Sequence, residues 1–228
     1  MWSSGLCAFA WGCLVVGLLM QRFQLAHFGV ALGLFTVGIL LAFVAGVVSL
    51  WSLKASPLAW FVLVLGFLPL LAVAVWIGPG LRGPAIHDIS TSPGALSFER
   101  ALELRGPDSN TLDGPGMEVI DQQRAGYPDI SPLLLTESNQ TLVFDAAMAQ
   151  ASLMGWTVTL VAAPKYFEAY EKTALFGFVD DVKVQVVQKG ADVQVDMRSI
   201  SRVGRSDLGA NAERIRTFLT SLENRVSH

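Results

Sequence analysis

Charge is distributed very unevenly along this sequence, and that distribution limits how the chain can fold. Of its 228 residues, 52% are hydrophobic and only 15% are charged, a composition too apolar for an ordinary soluble domain. Before Pro84 the charged side chains are those of Arg22, Lys54 and Arg82, whereas all 19 acidic residues come later. We therefore expect an apolar amino-terminal part followed by a water-exposed part.

Three apolar runs in the amino-terminal part have the length of membrane-spanning helices. They cover about residues 2–20, 25–50 and 58–77, and a helix needs roughly 20 apolar residues to cross a bilayer. The sequence thus predicts a membrane region over residues 1–78 with three transmembrane helices. A cleaved signal peptide is the alternative for the first run, but residues 1–5 carry no basic side chain and further apolar runs follow.

Small residues recur at four-residue intervals in the second apolar run. Gly29 and Gly33 form one pair, and Gly38, Ala42 and Gly46 form a longer series. Small residues with this spacing let helices approach closely in lipid. We therefore expect two kinds of partner for this part of the chain, the lipid bilayer and other membrane-protein subunits.

Three spans place the two chain ends on opposite sides of a membrane, but the basic residues do not define the orientation. Lys54 and the amino terminus share one side, and Arg22 and Arg82 share the other. The excess of Lys and Arg that normally marks cytoplasmic loops is therefore balanced here. Charge alone leaves the orientation open.

The sequence GPGLRGP follows the third run and predicts a stiff linker over residues 79–85. A soluble domain is expected over residues 86–228. It is acidic, since 13 basic residues face 19 acidic ones after Pro84, and we do not expect an acidic domain to bind nucleic acid. It has no cysteine and too few histidines for a zinc site, and no phosphate-binding or dinucleotide-binding motif. The sequence therefore predicts no metal and no cofactor.

Periodicity within the soluble domain predicts an α+β fold. One helix is expected over Leu142–Gly155, and a second begins near Ser206 with an apolar stripe. Between them lie four predicted strands, the last two joined by a hairpin at Lys189-Gly190. Short sequential connections favour a four-stranded antiparallel sheet packed by helices. The predicted strands cover residues 156–163, 166–173, 182–186 and 193–197, and the stripe consists of Leu208, Ile215, Phe218, Leu219 and Leu222.

The stretch Ser199–Arg216 combines charge, glycine and helix-start signals more densely than any other part of the chain. Arg202 and Arg205 precede the second helix, where the helix dipole disfavours cations unless acidic partners or an anion neutralise them. We consider both solutions. The second one predicts a site for an anionic small molecule, a lipid head group or an acidic partner, formed by Arg198, Arg202, Arg205, Ser206, Asp207, Asn211 and Arg214.

Acidic residues in the predicted strands offer partners for those arginines. Asp180 and Asp181 could form an acid–base pair or bind a divalent ion. Adjacent residues of a strand point to opposite faces of the sheet, however, so the two carboxylates do not readily converge on one ion. We therefore interpret Asp180 and Asp181, together with Asp196, as an ionic network with the arginines.

An enzymatic alternative rests on His87 and Asp88 at the start of the soluble domain. A Ser-His-Asp triad would combine His87 with Ser90 or a more distant serine and with Asp88 or another acid, and the protein would then be an envelope hydrolase. No nucleophile-elbow motif accompanies them. A non-catalytic binding protein is therefore the preferred hypothesis.

Five blocks of the soluble domain resemble the DUF1499 family, a domain of unknown function. The longest and most specific is VDMRSISRVGRSDLGANAERIRTFL at residues 195–219. The resemblance covers about residues 86–222. The other blocks are IHDIST at 86–91, YPDISPL at 127–133, MGW at 154–156 and FGFVDDV at 176–182.

The resemblance implies a location rather than an activity. It indicates an envelope or membrane-associated protein in bacteria, and a lumenal one in plastids. For this chain it implies a multi-pass protein of the bacterial inner membrane with a periplasmic soluble domain. The chain departs from the family pattern at residues 92–105, where an acid- and proline-rich segment is expected, and at Ala174-Leu175, where an aromatic residue commonly stands.

Overall fold

The computed structural model describes residues 2–78 and 80–227, and the chain divides into two compact units. Met1, Pro79 and His228, which lie at the ends of the predicted regions, fall outside the described residues. The described part of the predicted linker belongs to the second unit. The units comprise Met1–Pro79 with Thr173–Gly177, and Gly80–Lys172 with Phe178–His228.

The first unit is built from three long helices. All three are long and apolar enough to cross a membrane, the second including a short 3₁₀ turn at Leu50–Ser52. This confirms the prediction of three apolar helices. The unit also contains Phe176, whose ring stacks on Trp76 with ring centroids 5.7 Å apart. The helices are α1 (Trp2–Arg22), α2 (Phe28–Ser49) and α3 (Pro57–Ile77).

The small residues of α2 pack against the other two helices of the same chain. A Cβ atom added at Gly38 would lie 2.9 Å from the carbonyl oxygen of Ala10 in α1. One added at Gly66 in α3 would lie 2.6 Å from the Cα atom of Gly46. These glycines are therefore required by contacts within the bundle, because any larger residue would push two backbones apart. Gly33, by contrast, has open space beside it.

The described residues of the second unit form one antiparallel sheet of six strands, so the prediction of four strands is wrong. The four predicted strands are present. The two additional ones, β1 (Asp88–Ser90) and β2 (Leu133–Leu135), have three residues each, which is too short to show an alternating pattern in the sequence. The others are β3 (Thr157–Ala162), β4 (Tyr166–Lys172), β5 (Val179–Lys189) and β6 (Asp192–Ser201).

The long strands follow one another in space as they do in sequence. The order is β1-β6-β5-β4-β3, and β2 pairs with β6 beside β1. The predicted hairpin is confirmed, since Lys189 pairs with Asp192 across a two-residue turn. Gly190 adopts a positive φ of 66° in that turn, a conformation that glycine accommodates without steric cost.

Within residues 80–227, four α-helices accompany the sheet: α4 (Arg100–Leu104), α5 (Met117–Gly126), α6 (Gln140–Leu153) and α7 (Ala210–Val226). The last helix begins later than the sequence predicts. Leu208 lies before α7 with a left-handed φ of 55° and is exposed, so it does not belong to the predicted apolar stripe. Ile215, Phe218 and Leu222 of that stripe are fully buried, as predicted.

The main hydrophobic core lies between one face of the sheet and the helices α6 and α7. Its centre is a stacked pair, Trp156 and Phe218, whose ring centroids are 5.0 Å apart. Alternate residues of the strands complete the core, as shown by the facing series Phe167, Val184 and Met197. The opposite face of the sheet carries the polar residues of the same strands.

Candidate functional site

The polar face of the sheet is a layer of charged residues that is itself buried. One row across four strands consists of Glu168, Lys183, Arg198 and Ser90, each directly opposite the next. All four are at least nine-tenths buried. Buried charges are costly unless they are paired and hydrogen-bonded, so the contacts of this layer determine what it can do.

Arg198 forms a bidentate ion pair with Asp88. Its Nε donates to Oδ1 at 2.9 Å and its Nη2 to Oδ2 at 2.7 Å, and both residues are buried. This fork-to-carboxylate geometry is the strong form of the arginine–carboxylate pair. Two candidate site residues from the sequence are thus brought together, and each neutralises the charge of the other.

Asp181 accepts hydrogen bonds from two arginines. Arg202 Nη2 lies 2.7 Å from Oδ1, and Arg105 Nε lies 2.8 Å from Oδ2. Burial lowers the pKa of Arg105, the Asp181 carboxylate acts in the opposite direction, and Arg202 and Arg198 lower the pKa further. Three guanidinium groups therefore lie close together at this end of the layer.

Asp180 points to the other face of the sheet, toward α7. Its Oδ2 accepts from Arg214 Nη2 at 2.6 Å, and Arg214 also forms an ion pair with Glu171. Burial lowers the pKa of Arg214, but Asp180 and Glu171 outweigh that effect and raise its pKa overall. Arg214 and Asn211 further share the hydroxyl of Ser199. Arg214 is therefore fixed within the protein.

The start of α7 is capped by the protein's own carboxylate. Asp207 accepts from the backbone N–H groups of Gly209 and Asn211, both at 2.8 Å, while Ser206 accepts from the N–H of Leu208. Burial raises the pKa of Asp207, and these backbone hydrogen bonds act against that rise. Asp207 thus occupies a position at this helix end where anions commonly bind.

Arg205 differs from the other arginines of the predicted site. Its side chain is exposed, and no ion pair involves it among the described residues. Its carbonyl oxygen lies 3.4 Å from His87 Nδ1. Arg205 thus differs from Arg202, three residues earlier in the chain, which pairs with Asp181 and keeps 17% of its side chain exposed.

The remaining sequence candidates are separated from one another. Asp196 accepts hydrogen bonds from the side chains of Thr91, Ser92 and Gln194, and no arginine pairs with it within residues 80–227. His87 contacts the Arg205 carbonyl, whereas the neighbouring Asp88 is bound by Arg198. Within the described residues no group of three or more His, Cys, Asp or Glu could hold a metal ion.

Sequence reasoning missed a further buried pair in the same layer. Lys183 Nζ lies 3.4 Å from Glu168 Oε1 and 4.1 Å from the centroid of the Tyr166 ring. Both charged residues lie on the polar side of alternating strands, which usually faces water. Their opposite signs at facing positions were a usable signal, but the burial of that face depends on a segment distant in sequence.

The comparisons with known proteins identify a family but no activity. Comparison with curated proteins found no match. A family described as "Protein of unknown function (DUF1499)" matches residues 97–222, which is more than half of the chain and includes β3 to β6 and most of α7. The match confirms the resemblance noted in the sequence: this chain belongs to the DUF1499 family.

Proposed function

We propose that this protein is a membrane-anchored, non-catalytic protein whose second unit binds an anionic group at the turn Arg202–Ser206. The anionic group belongs to a small molecule, a lipid head group or an acidic partner subunit. The observation that carries the proposal is the sharing of one carboxylate, Asp181, by Arg105 and Arg202.

The charge balance at this end of the polar layer supports an anion site. Three guanidinium groups, those of Arg105, Arg198 and Arg202, face two carboxylates, those of Asp88 and Asp181. The excess positive charge lies in a partly desolvated environment, where electrostatic interactions are stronger than in water. Arg205 adds an exposed cation three residues along the chain from Arg202.

The other arginines of the predicted site have structural roles in this proposal. Arg198 and Arg214 are buried, and each is paired with a buried carboxylate. A ligand that displaced them would leave Asp88 or Asp180 uncompensated, at a cost of several kcal/mol. Arg205 and the exposed edge of Arg202 are therefore the groups available to an anion.

The experiment uses the full chain in mild detergent and measures thermal unfolding with inorganic phosphate, with phosphatidylglycerol and with phosphatidylcholine. A ligand that binds only the folded protein raises the melting temperature by mass action. A shift with phosphate indicates recognition of the charged group alone. A shift confined to phosphatidylglycerol indicates a lipid head group, and the neutral lipid controls for bilayer effects.

Arg205→Gln tests the assignment of the site, and Arg124→Gln is its matched control. Arg124 is also an exposed arginine, 69% accessible, and it lies near the equally exposed Asp121. We expect Arg205→Gln to abolish the anion-dependent shift without lowering the basal melting temperature, and Arg124→Gln to retain the shift. An unchanged shift in Arg205→Gln, or no shift of the wild-type protein with any of these anions, would refute the proposal.

We further propose that the protein lies in the bacterial inner membrane with residues 84–228 in the periplasm. The three apolar helices and the DUF1499 membership support this location. A carboxyl-terminal alkaline phosphatase fusion is expected to be active. A carboxyl-terminal fusion to green fluorescent protein is expected to be non-fluorescent, because the reporter would be exported in unfolded form. The opposite pair of results would place the domain in the cytoplasm.

A further inference from the structure

A segment of the second unit, residues 96–112, lies over the polar face of the sheet; we refer to it as the strap. The sheet binds the strap largely through side chains that contact strap backbone. Arg198 Nη1 donates to the Leu96 carbonyl at 2.7 Å, and Lys183 Nζ donates to the Ser97 carbonyl at 2.6 Å.

Glu168 contributes two further backbone contacts. Its carboxylate oxygens accept from the N–H groups of Glu99 at 2.7 Å and Ala101 at 2.9 Å. Arg202 Nη1 donates to the Leu104 carbonyl at 3.1 Å. All these contacts recognise peptide groups rather than particular side chains, including those at the two ends of the short helix α4, so they place few limits on the sequence of the segment that is bound.

Phe98 is the apolar anchor of the strap. It is 7% exposed, packs with Ala101 and Ile200, and its ring centroid lies 5.3 Å from the guanidinium carbon of Arg198. An arginine placed over an aromatic ring attracts it electrostatically. The polar face thus contains one place for an aromatic side chain among its backbone-binding groups.

The polar face stays balanced in charge without the strap. Glu168 pairs with Lys183, Asp88 with Arg198, and Asp181 with Arg202. Arg105, the second partner of Asp181, belongs to the strap. Opening the strap would therefore leave each of these carboxylates with one cation and would expose the small Phe98 cluster and Leu96, whereas the main core against α6 and α7 contains no residue of the strap.

Glycines with open space beside them flank the strap on both sides. Gly94 precedes it with a positive φ of 83° and Gly114 follows it with a positive φ of 98°, and neither has any heavy atom within 4 Å of an added Cβ position. Segments with few apolar contacts and free flanks open at lower free energy than the core of a domain. These features allow the strap to leave the sheet as one piece.

We propose that the polar face of the sheet is a binding site for a peptide with an aromatic anchor, occupied in this structure by the chain's own strap. Arg198, Lys183, Glu168 and Arg202 bind the peptide backbone, and the contact with the Phe98 ring is replaced by an aromatic residue of the incoming peptide. The strap competes with that peptide and so sets its apparent affinity.

Hydrogen–deuterium exchange on the full chain tests whether the strap opens. The amides of Glu99 and Ala101 are expected to exchange at least a hundredfold faster than those of Val184 and Met197 in the core strands. Phe98→Ala is expected to accelerate exchange of the two strap amides further and to leave the core amides unchanged. Leu102→Ala, which truncates a 65% exposed residue of α4, is the matched control and is expected to change neither.

Peptide binding tests the site itself. A fluorescent peptide with the sequence of residues 95–105 is added to the wild-type chain and to Phe98→Ala. We expect at least tenfold tighter binding to the variant, because its own strap competes less well, and loss of binding when the phenylalanine of the peptide is replaced by alanine. If the core amides of Phe98→Ala lose their protection from exchange, the experiment uses Leu96→Ala instead, as a milder substitution that opens the strap.

Three results would overturn the proposal. Exchange of the Glu99 and Ala101 amides at the same rate as the core amides would show that the strap opens only when the whole domain unfolds. Absence of peptide binding to a folded, strap-opened variant would show that the face does not recognise a peptide in trans. Equal binding of the wild-type peptide and its alanine version would likewise remove the aromatic anchor on which the site depends.

Discussion

Asp180 and Asp181 are neighbours in β5, yet their carboxylates bind arginines on opposite faces of the sheet. Asp180 meets Arg214 of α7 at 2.6 Å, and Asp181 meets Arg202 at 2.7 Å. The alternation of side chains along a strand produces this division. One dipeptide thus connects the helix-packed face and the strap-covered face of the domain.

Asp181→Asn is expected to destabilise the second unit by about 3–5 kcal/mol, because it leaves the buried guanidinium of Arg105 and the partly exposed one of Arg202 without a carboxylate. Chemical unfolding of the full chain in detergent measures this change. Asp121→Asn, at a site 69% exposed, is the control and is expected to change the free energy of unfolding by less than about 0.5 kcal/mol. Equal stability of the two variants would contradict the role given to Asp181.

Trp156→Ala is expected to cost about 3–5 kcal/mol, the usual effect of deleting a large aromatic side chain from a core. Trp156 is 6% exposed and stacks on the fully buried Phe218. Leu153→Ala, three residues earlier and 70% exposed, serves as the control. The same unfolding experiment compares them, and an unchanged transition for Trp156→Ala would contradict its place in the core.

Asp207 is expected to make the stability of the domain depend on pH. Burial raises the pKa of Asp207 in the folded protein, whereas the unfolded chain has the ordinary value of about 3.9. The folded state therefore binds this proton more tightly. The carboxyl's contribution to stability improves as pH falls through the folded pKa, and this gain is lost again as pH rises.

The comparison of wild type with Asp207→Asn isolates that contribution. Unfolding free energies are measured for both proteins at intervals from pH 7 down to pH 4. We expect the wild type to gain stability relative to the variant as the pH decreases. A wild type that instead loses stability relative to Asp207→Asn over this range would show that hydrogen bonds to Gly209 and Asn211 outweigh burial.

Gly66→Ala is expected to weaken the helical bundle by about 1–3 kcal/mol, the usual cost of overpacking. The added Cβ atom would lie 2.6 Å from both the Ala42 carbonyl oxygen and the Gly46 Cα atom. Gly33→Ala, in a helix position with open space, is the control and is expected to be neutral or slightly stabilising. Thermal unfolding in detergent distinguishes them, and equal effects would argue against the close α2–α3 contact.

The sequence predicted the elements whose signals are local. The three apolar helices follow from long uncharged runs, and the β5–β6 hairpin follows from alternating residues on both sides of Lys189-Gly190. The DUF1499 membership likewise follows from contiguous blocks of residues. The strands β1 and β2 carry no such signal, because three residues cannot show a period and their pairing with β6 is decided by distant parts of the chain.

The candidate site shows the same limit. From the sequence alone, arginines before a helix required either acidic partners or an anion, and both solutions stayed open. Only the tertiary structure assigns Arg198 to Asp88, Arg202 to Asp181 and Arg214 to Asp180, pairs separated by 21 to 110 positions. It also leaves Arg205 exposed, and the local sequence around these arginines does not distinguish Arg205 from the paired ones.

The sequence by itself therefore determined which residues are apolar, which alternate, and where charge is concentrated. The tertiary structure decided which charges are neutralised and which face of the sheet is covered. The physical reason is that hydropathy and periodicity are properties of neighbouring residues. Ion pairing and burial depend instead on which distant segments meet. The pair of Glu168 and Lys183, for example, is covered by the strap, which lies about 70 to 85 positions earlier in the chain and contributes no strand to the sheet.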